Sequence, residues 1–202
     1  MSKDHENNVS IFSIDSVPYG IGYGEWTAKW WQWAFSIPLE RNPISSYSHE
    51  NCAINQSGPV WFLPGTAGGI EERNCTIPLG KAILLPILNH GGTLSDTPAA
   101  RSDQELFSFT KREMDIISDL EVTVDSVKLD SFQRYRVQSP IFDVVLPENN
   151  LFGGSPGPTR GASDGYWLFL KPLRKGKHEI ESFGSCLAGK VKIGVNYHIV
   201  IV

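Results

Sequence analysis

The chain has 202 residues, 41% of them hydrophobic, and a formal net charge of −4. That size supports one sizeable core without staples, so a single domain over residues 1–202 is expected. The mild acidity and the lack of a basic block argue against nucleic acid as a partner, and no apolar run reaches the roughly 20 residues of a membrane span.

The opening MSKDHENN is polar and has no apolar signal core. Val9 to Ile14 reads as a first strand, and the Gly- and Tyr-rich SVPYGIGYG then leads into Gly24 to Ile37, which holds four of the six tryptophans. At about 100° per residue, Trp26, Trp30, Trp33, Ala34 and Ile37 share one helical stripe. Thr27, Ala28, Trp31 and Phe35 widen the apolar arc, leaving Glu25, Lys29, Gln32 and Ser36 as a polar strip. Such an arc exceeds that of a surface helix, so this one is expected to be gripped on two sides. Glu25 and Lys29 have the spacing and order of a helical ion pair. Trp31 lies off the main stripe and is the tryptophan expected to face a cavity or a partner, with Trp31→Ala altering binding more than folding.

Pro38 ends the helix, and PISSYSHEN marks a long surface connection. Val60 to Leu63 is a short strand followed by the turn GTAGG. Cys75 to Pro78 and Lys81 to Leu88 continue the β pattern; AILLPIL implies burial on both faces, with Pro86 requiring an edge, bulge or bend. Ser102 and Glu105 form a capping-box pattern ahead of an amphipathic helix whose stripe is Leu106, Phe109, Ile116, Ile117 and Leu120. From Leu120 the period becomes two, and Asp125-Ser126 reads as the turn of a hairpin closed by Val127 to Leu129. Phe132 to Val137 and Ile141 to Leu146 read as strands. The Gly- and Pro-rich stretch from Glu148 to Gly165 is the most loop-like region, and a loop so long is functional or mobile. Tyr166 to Leu170, His178 to Phe183 and Val191 to Val202 are strands, the last with strict alternation. The fold expected is mainly β: a jelly-roll-like β-sandwich with the N-terminal Trp-rich helix packed on it and a second amphipathic helix outside.

Several residues invite chemistry. Trp61, Tyr166 and Trp167 stand on short strands near glycine-rich segments, and an exposed ring beside Asp164, Arg160, Asn149 and Asn150 would stack on a sugar while the polar groups bind its hydroxyls. Filling of the sandwich is the competing role for these aromatics. His90, His178 and His198 are weak metal candidates, because none has the spacing of a known ligand motif. Nothing pairs Glu25, Asp125, Asp143, Glu148 or Asp164 into a hydrolytic dyad, and no nucleophile elbow is present. Arg134 and Arg136 alternate as in a surface ion-pair ladder. No motif requires a cofactor. Cys52 and Cys75 flank PVWFL, and the residues themselves leave a bridge and two free thiols equally open.

The segments YGEWTAKWWQWAFSIP, NCAINQSGPVWFLPGTAGG, RNCTIPLGKAILLPILN, YRVQSPIFDVVLPENN and DGYWLFLKPLRKGKHEI with VNYHIVIV together resemble a family of uncharacterised prokaryotic proteins, many of them exported. The resemblance spans most of the chain and brings no activity with it. It implies that Cys52 and Cys75 are bridged and that the protein is secreted or at the cell surface. The polar opening lacks the signal peptide of the exported members, which leaves the cytoplasm open and the bridge dependent on compartment. The expectation is an extracytoplasmic binding or interaction module for a carbohydrate or a protein surface. A metal-dependent or hydrolytic enzyme and a surface assembly protein joined through its terminal strand are the alternatives.

Overall fold

The computed structural model describes residues 9–45, 52–186 and 191–202. The polar opening, the end of the connection after Pro43 and the tail of FGSCLAG lie outside them.

The tryptophan segment forms helix α1, Tyr23–Ser36. Its N-terminus is satisfied by Glu25, whose Oε2 accepts the Gly22 N–H at 3.0 Å. Glu25 therefore serves the unpaired amides of the first turn and does not make the expected pair with Lys29. At the other end the fully buried Asn42 donates to the carbonyls of Ala34 and Ile37 at 2.7 and 3.1 Å and accepts from the Ile44 N–H at 3.0 Å. One side chain thus closes the helix and fixes the chain that follows it.

The protein is mainly β, with two five-stranded sheets around one core. The first contains β1 (Val60–Phe62), β3 (Ala82–Thr93), β8 (Gly157–Leu170) and β6 (Arg136–Gln138) in that order, with β7 (Phe142–Leu146) also paired to β8. The second runs β2 (Ile70–Ile77), β10 (Val191–Ile201), β9 (Gly176–Cys186), β4 (Ile117–Val124) and β5 (Val127–Lys128). The pairs β1–β3 and β2–β10 are parallel and the rest antiparallel.

Register explains the continuous apolar runs. Leu84 pairs with Phe169 and Pro86 with Trp167, so these four share a face. α1 lies on it: the Trp26 and Phe169 rings are 5.7 Å apart and those of Trp30 and Trp167 5.2 Å. The alternate residues face the second sheet, where Leu88 fills the space beside Gly184. Both faces of β3 and β8 are covered, which is why period-two polarity is absent from them. Pro86 sits in an interior strand at a bulge between Pro86 and Leu88. Leu84 still accepts from the Leu63 N–H at 3.1 Å on the β1 side. Two residues on, Pro86 turns the same way past the end of β1, so its missing N–H removes no ladder bond.

Helix α2, Asp103–Asp115, opens with the Ser102 Oγ accepting the Glu105 N–H at 3.3 Å. It buries Leu106 against Ala100 and Ala162 in a small satellite core. The helix is shorter than its apolar stripe implies. Ile116 is exposed, and Ile117 and Leu120 belong to β4 because their run pairs with β9. The hairpin after β4 is as expected, with Asp125 and Ser126 both left-handed at φ 48° and 67°. Val9 to Ile14 contributes one bridge, Ile11 to Leu170, and Phe132–Tyr135 is a 3₁₀ turn ahead of β6.

The second half of the expected loop of residues 148–165 is strand. β8 begins at Gly157, and its first part pairs with β7 and then β3. A Cβ on Gly161 would lie 2.4 Å from the Phe142 ring, and one on Gly165 would lie 2.2 Å from the Asn89 Cβ. These glycines permit close approach within a sheet and do not mark a turn. β10 alternates as expected, with Val195, Tyr197, Ile199 and Ile201 buried. It lies between β2 and β9, so its backbone offers no free edge for assembly by strand addition. Cys52 and Cys75 form a disulfide.

Candidate functional site

β1 pairs with β3 only from Ala82 to Leu84, whereas β3 continues to Thr93. Beside the uncovered part of β3 is a cavity of about 190 Å³. Trp30 and Trp31 of α1, Asn89 and His90 of β3, and Ser182 and Val195 of the second sheet contribute to its walls. Phe152 borders it with 45% of its surface exposed.

Trp31 is fixed by close packing. An added Cβ at Gly91 would come within 2.4 Å of its Cε2, so β3 approaches the indole only because glycine is there. The Phe35 ring centroid is 4.9 Å away, and Trp30 meets Trp31 edge-on at 5.1 Å. Trp30 spends its Nε1–H on the Leu63 carbonyl at 2.8 Å. Trp31 has no partner for its buried Nε1–H, and Ser182 has none for its buried Oγ. Trp61 and Trp167 also hold unpartnered indole nitrogens, but neither borders the cavity. The His90 ring packs edge-on against Phe109 of α2 at 5.2 Å.

The wall formed by Gly65 and Thr66 is held from behind by Arg73, whose side chain is fully buried. Its Nη2 donates to the Gly65 carbonyl at 2.8 Å and to Glu71 Oε2 at 2.7 Å, while Thr66 donates to the other Glu71 oxygen at 3.2 Å. Burial pulls the Arg73 pKa down, opposed by Tyr197 and Glu71. Tyr197 adds a bond to the Pro64 carbonyl at 2.9 Å. Burial also pushes the His90 imidazole below its ordinary value, with Glu113 and Asp96 pulling the other way. The neutral ring offers one donor and one acceptor. Among the described residues no Asp, Glu, Lys or Arg lines the cavity.

Of the residues expected to bind, Trp31 borders this cavity and the others do not. Trp61 and Trp167 are buried in the core. Tyr166 is half-buried beside Arg136, its cross-strand partner. Asp164 is buried in a two-point ion pair with Arg136 at 2.8 and 3.2 Å, and Arg136 continues to Asp115 of α2 at 2.8 Å. Arg160 pairs with Asp103. Asn150 is buried and brackets the β7–β8 connection, donating to Pro147 and Gly154 carbonyls at 3.0 and 2.8 Å. The expected stacking surface therefore does not form, because Trp61 and Trp167 fill the core, Asp164 and Arg160 are spent on ion pairs, and Asn150 holds its own loop. Burial of Trp31 at 5% exposure, against 2% for Trp30, also removes the reason for Trp31→Ala to spare folding.

The three histidines are separated. His178 is inside the sandwich, its Nδ1 2.7 Å from Asp125 and its Nε2 2.8 Å from the Arg174 carbonyl. His198 lies on the opposite face of that sheet against Glu72, and His90 borders the cavity. No group of three metal-ligating side chains occurs among the described residues. Sequence reading missed Asn89, Gly91 and Ser182; the one local signal was Gly91-Gly92 closing an apolar strand.

The fold and site define a two-sheet sandwich with a buried tryptophan helix and a small uncharged cavity between them. No protein-family model, curated protein or solved structure matches the chain.

Proposed function

We propose that this protein is a binding module that holds a small molecule in the cavity bordered by Trp31. The observation that carries this reading is the mostly apolar recess of about 190 Å³ beside the uncovered part of β3, walled by the close-packed rings of Trp30 and Trp31 and by Ser182 and Val195 of the second sheet. Few polar groups in an apolar recess is the usual composition of a small-molecule site. The Cys52–Cys75 bridge supports work outside a reducing cytoplasm. No helix among the described residues is long and apolar enough to cross a membrane.

The test is a fragment screen on the ¹⁵N-labelled full chain, read at the tryptophan indole N–H resonances, with Trp31 assigned by Trp31→Phe. The reading expects some fragments to move the Trp31 resonance while those of Trp26 and Trp33, bonded to Pro18 and Ile54 carbonyls, stay in place. A diverse library that leaves the Trp31 signal unmoved sinks the proposal.

A further inference from the structure

We infer that a second copy of this chain docks on the outer edge of β2, antiparallel about a two-fold axis at Asn74, so that the second sheets of two molecules become one continuous sheet. The inference does not rest on the cavity.

β2, Ile70–Ile77, is a terminal strand of its sheet and pairs with β10 alone. Gly194 and Val202 donate to the Gly69 and Ile77 carbonyls at 2.9 and 3.1 Å, so the odd-numbered positions turn their backbone toward β10. In a ladder the alternate residues turn the other way. The N–H and C=O groups of Ile70, Glu72, Asn74 and Thr76 therefore point outward. Among the described residues no backbone or side-chain group pairs with them, and all four residues are exposed.

The other sheet margins are short or closed. Gln56 lies along β1, accepting the Phe62 N–H at 3.0 Å and donating to the Phe62 carbonyl at 2.8 Å. β6 has three residues, and β7 has its Asp143 carbonyl bonded by Gln32 of α1 at 2.9 Å. β5 has two residues, and the part of β4 that it leaves uncovered carries a bulge and the exposed Asp119 and Glu121. The uncovered part of β3 is mostly buried.

An exposed edge is normally guarded by a proline, a bulge or an outward charge. β2 has no proline and an unbroken register over eight residues. Its charges are turned elsewhere. Glu72 reaches across the sheet to Asn196 and His198 at 2.8 and 2.7 Å, and Arg73 bonds Glu71.

The occupant that fits is the same chain. With the axis at Asn74, Asn74 of each copy faces its counterpart, Glu72 faces Thr76, and these residues exchange their outward backbone bonds. An axis at Arg73 sets arginine against arginine, and one at Glu72 sets glutamate against glutamate; both oppose like charges. The axis at Asn74 also joins the two ends of the edge. Ile70, 54% exposed, comes beside the Pro78-Leu79 corner of the other copy, where Leu79 is 57% and Val202 54% exposed. One two-fold operation covers both apolar ends.

The test is sedimentation equilibrium of the full chain, read against the 22.4 kDa of one copy. Contact along one strand edge is small, so micromolar dissociation is expected, with mostly dimer at about 100 μM. Asn74→Lys faces two ammonium groups across the axis and should weaken the dimer at least about tenfold, as Asn74→Asp should with two carboxylates. An equal mixture of these two variants should regain the dimer. Glu181→Lys, on the exposed face of β9, should dimerise like the parent. Asn74 is exposed and turns its backbone away from β10, so the fold survives these changes, which unchanged urea midpoints would verify. Hydrogen exchange on the parent needs no variant: the Glu72, Asn74 and Thr76 amides should gain protection as chain concentration rises. A parent that is monomeric at about 100 μM overturns the inference, even where an extended peptide binds β2 in its place. A dimer untouched by either Asn74 variant, a mixture that stays monomeric, or exchange at those amides that ignores concentration overturns it too.

Discussion

Gly91→Ala is the sharpest probe of how the site is built. The new methyl carbon would lie 2.4, 2.5 and 2.8 Å from the Cε2, Cδ2 and Cζ2 atoms of Trp31, about 1 Å inside ordinary contact. Neither side yields cheaply. Gly91 is held in the β3–β8 ladder opposite Ser163, and the indole is backed by Phe35 and Trp30. Overpacking of this kind costs about 1–3 kcal/mol, and the rigid ring places this case at the upper end. For a chain of this size the melting temperature falls by about 2–4 °C per kcal/mol. Urea unfolding followed by far-UV circular dichroism measures the change, with an unchanged m-value marking a true loss of stability. Trp31→Leu in the same chain makes room for the methyl, so the double variant should be more stable than the sum of the singles by about 1–2 kcal/mol. Gly91→Ala within about 0.5 kcal/mol of the parent, or additivity in the double variant, would refute the close approach of β3 to Trp31.

Three further outcomes follow from the same structure. Asn42→Ala strips the Ala34 and Ile37 carbonyls and the Ile44 N–H of their partner and should cost about 2–4 kcal/mol in denaturant unfolding; a loss below about 0.5 kcal/mol would mean that the helix end is held by other groups. Reduction of Cys52–Cys75, which span 23 residues, should lower stability by about 3 kcal/mol on the loop-entropy account; equal unfolding midpoints with and without reductant would contradict it. His90 has a folded pKa below its unfolded one. The unfolded chain therefore takes the proton first, and stability is full above about pH 6.5 and falls as pH drops below it. His90→Gln should flatten that fall between about pH 7 and pH 5, and an unchanged slope would assign the acid sensitivity elsewhere.

Much of the fold was legible because local patterns agreed with the tertiary solution. The width of the apolar arc in α1 announced burial on two sides, and AILLPIL announced a strand covered on both faces. The alternation in Val191 to Val202 placed Tyr197 and Ile199 inward. Errors came where one residue type serves two physical ends. Gly161 and Gly165 read as loop residues by composition, yet they are glycine because Phe142 and Asn89 leave no space for a Cβ. Ile116, Ile117 and Leu120 continue a helical stripe in sequence, yet the pairing of β4 with β9 claims the last two. The site was legible in one residue, Trp31, through its angle on the helix. Its other groups were not, since Asn89, Ser182 and Gly91 come from two sheets and meet only through the tertiary fold.

The cavity follows from how those pieces meet. β1 stops pairing at Leu84, the Pro86 bulge turns β3, and the indoles of Trp30 and Trp31 are too large and stiff to collapse into the space left over. A chain refined for stability alone would close such a void with a branched aliphatic side chain and would place alanine at Ser182, where the hydroxyl finds no partner. Instead Arg73 is buried at a desolvation cost to hold Gly65 and Thr66 in place as a wall. Buried groups without partners at Trp61, Trp167 and Ser163, all away from this space, show that the unpaired Trp31 and Ser182 atoms do not by themselves mark a ligand; the recess and its held wall are what distinguish this place from the rest of the core.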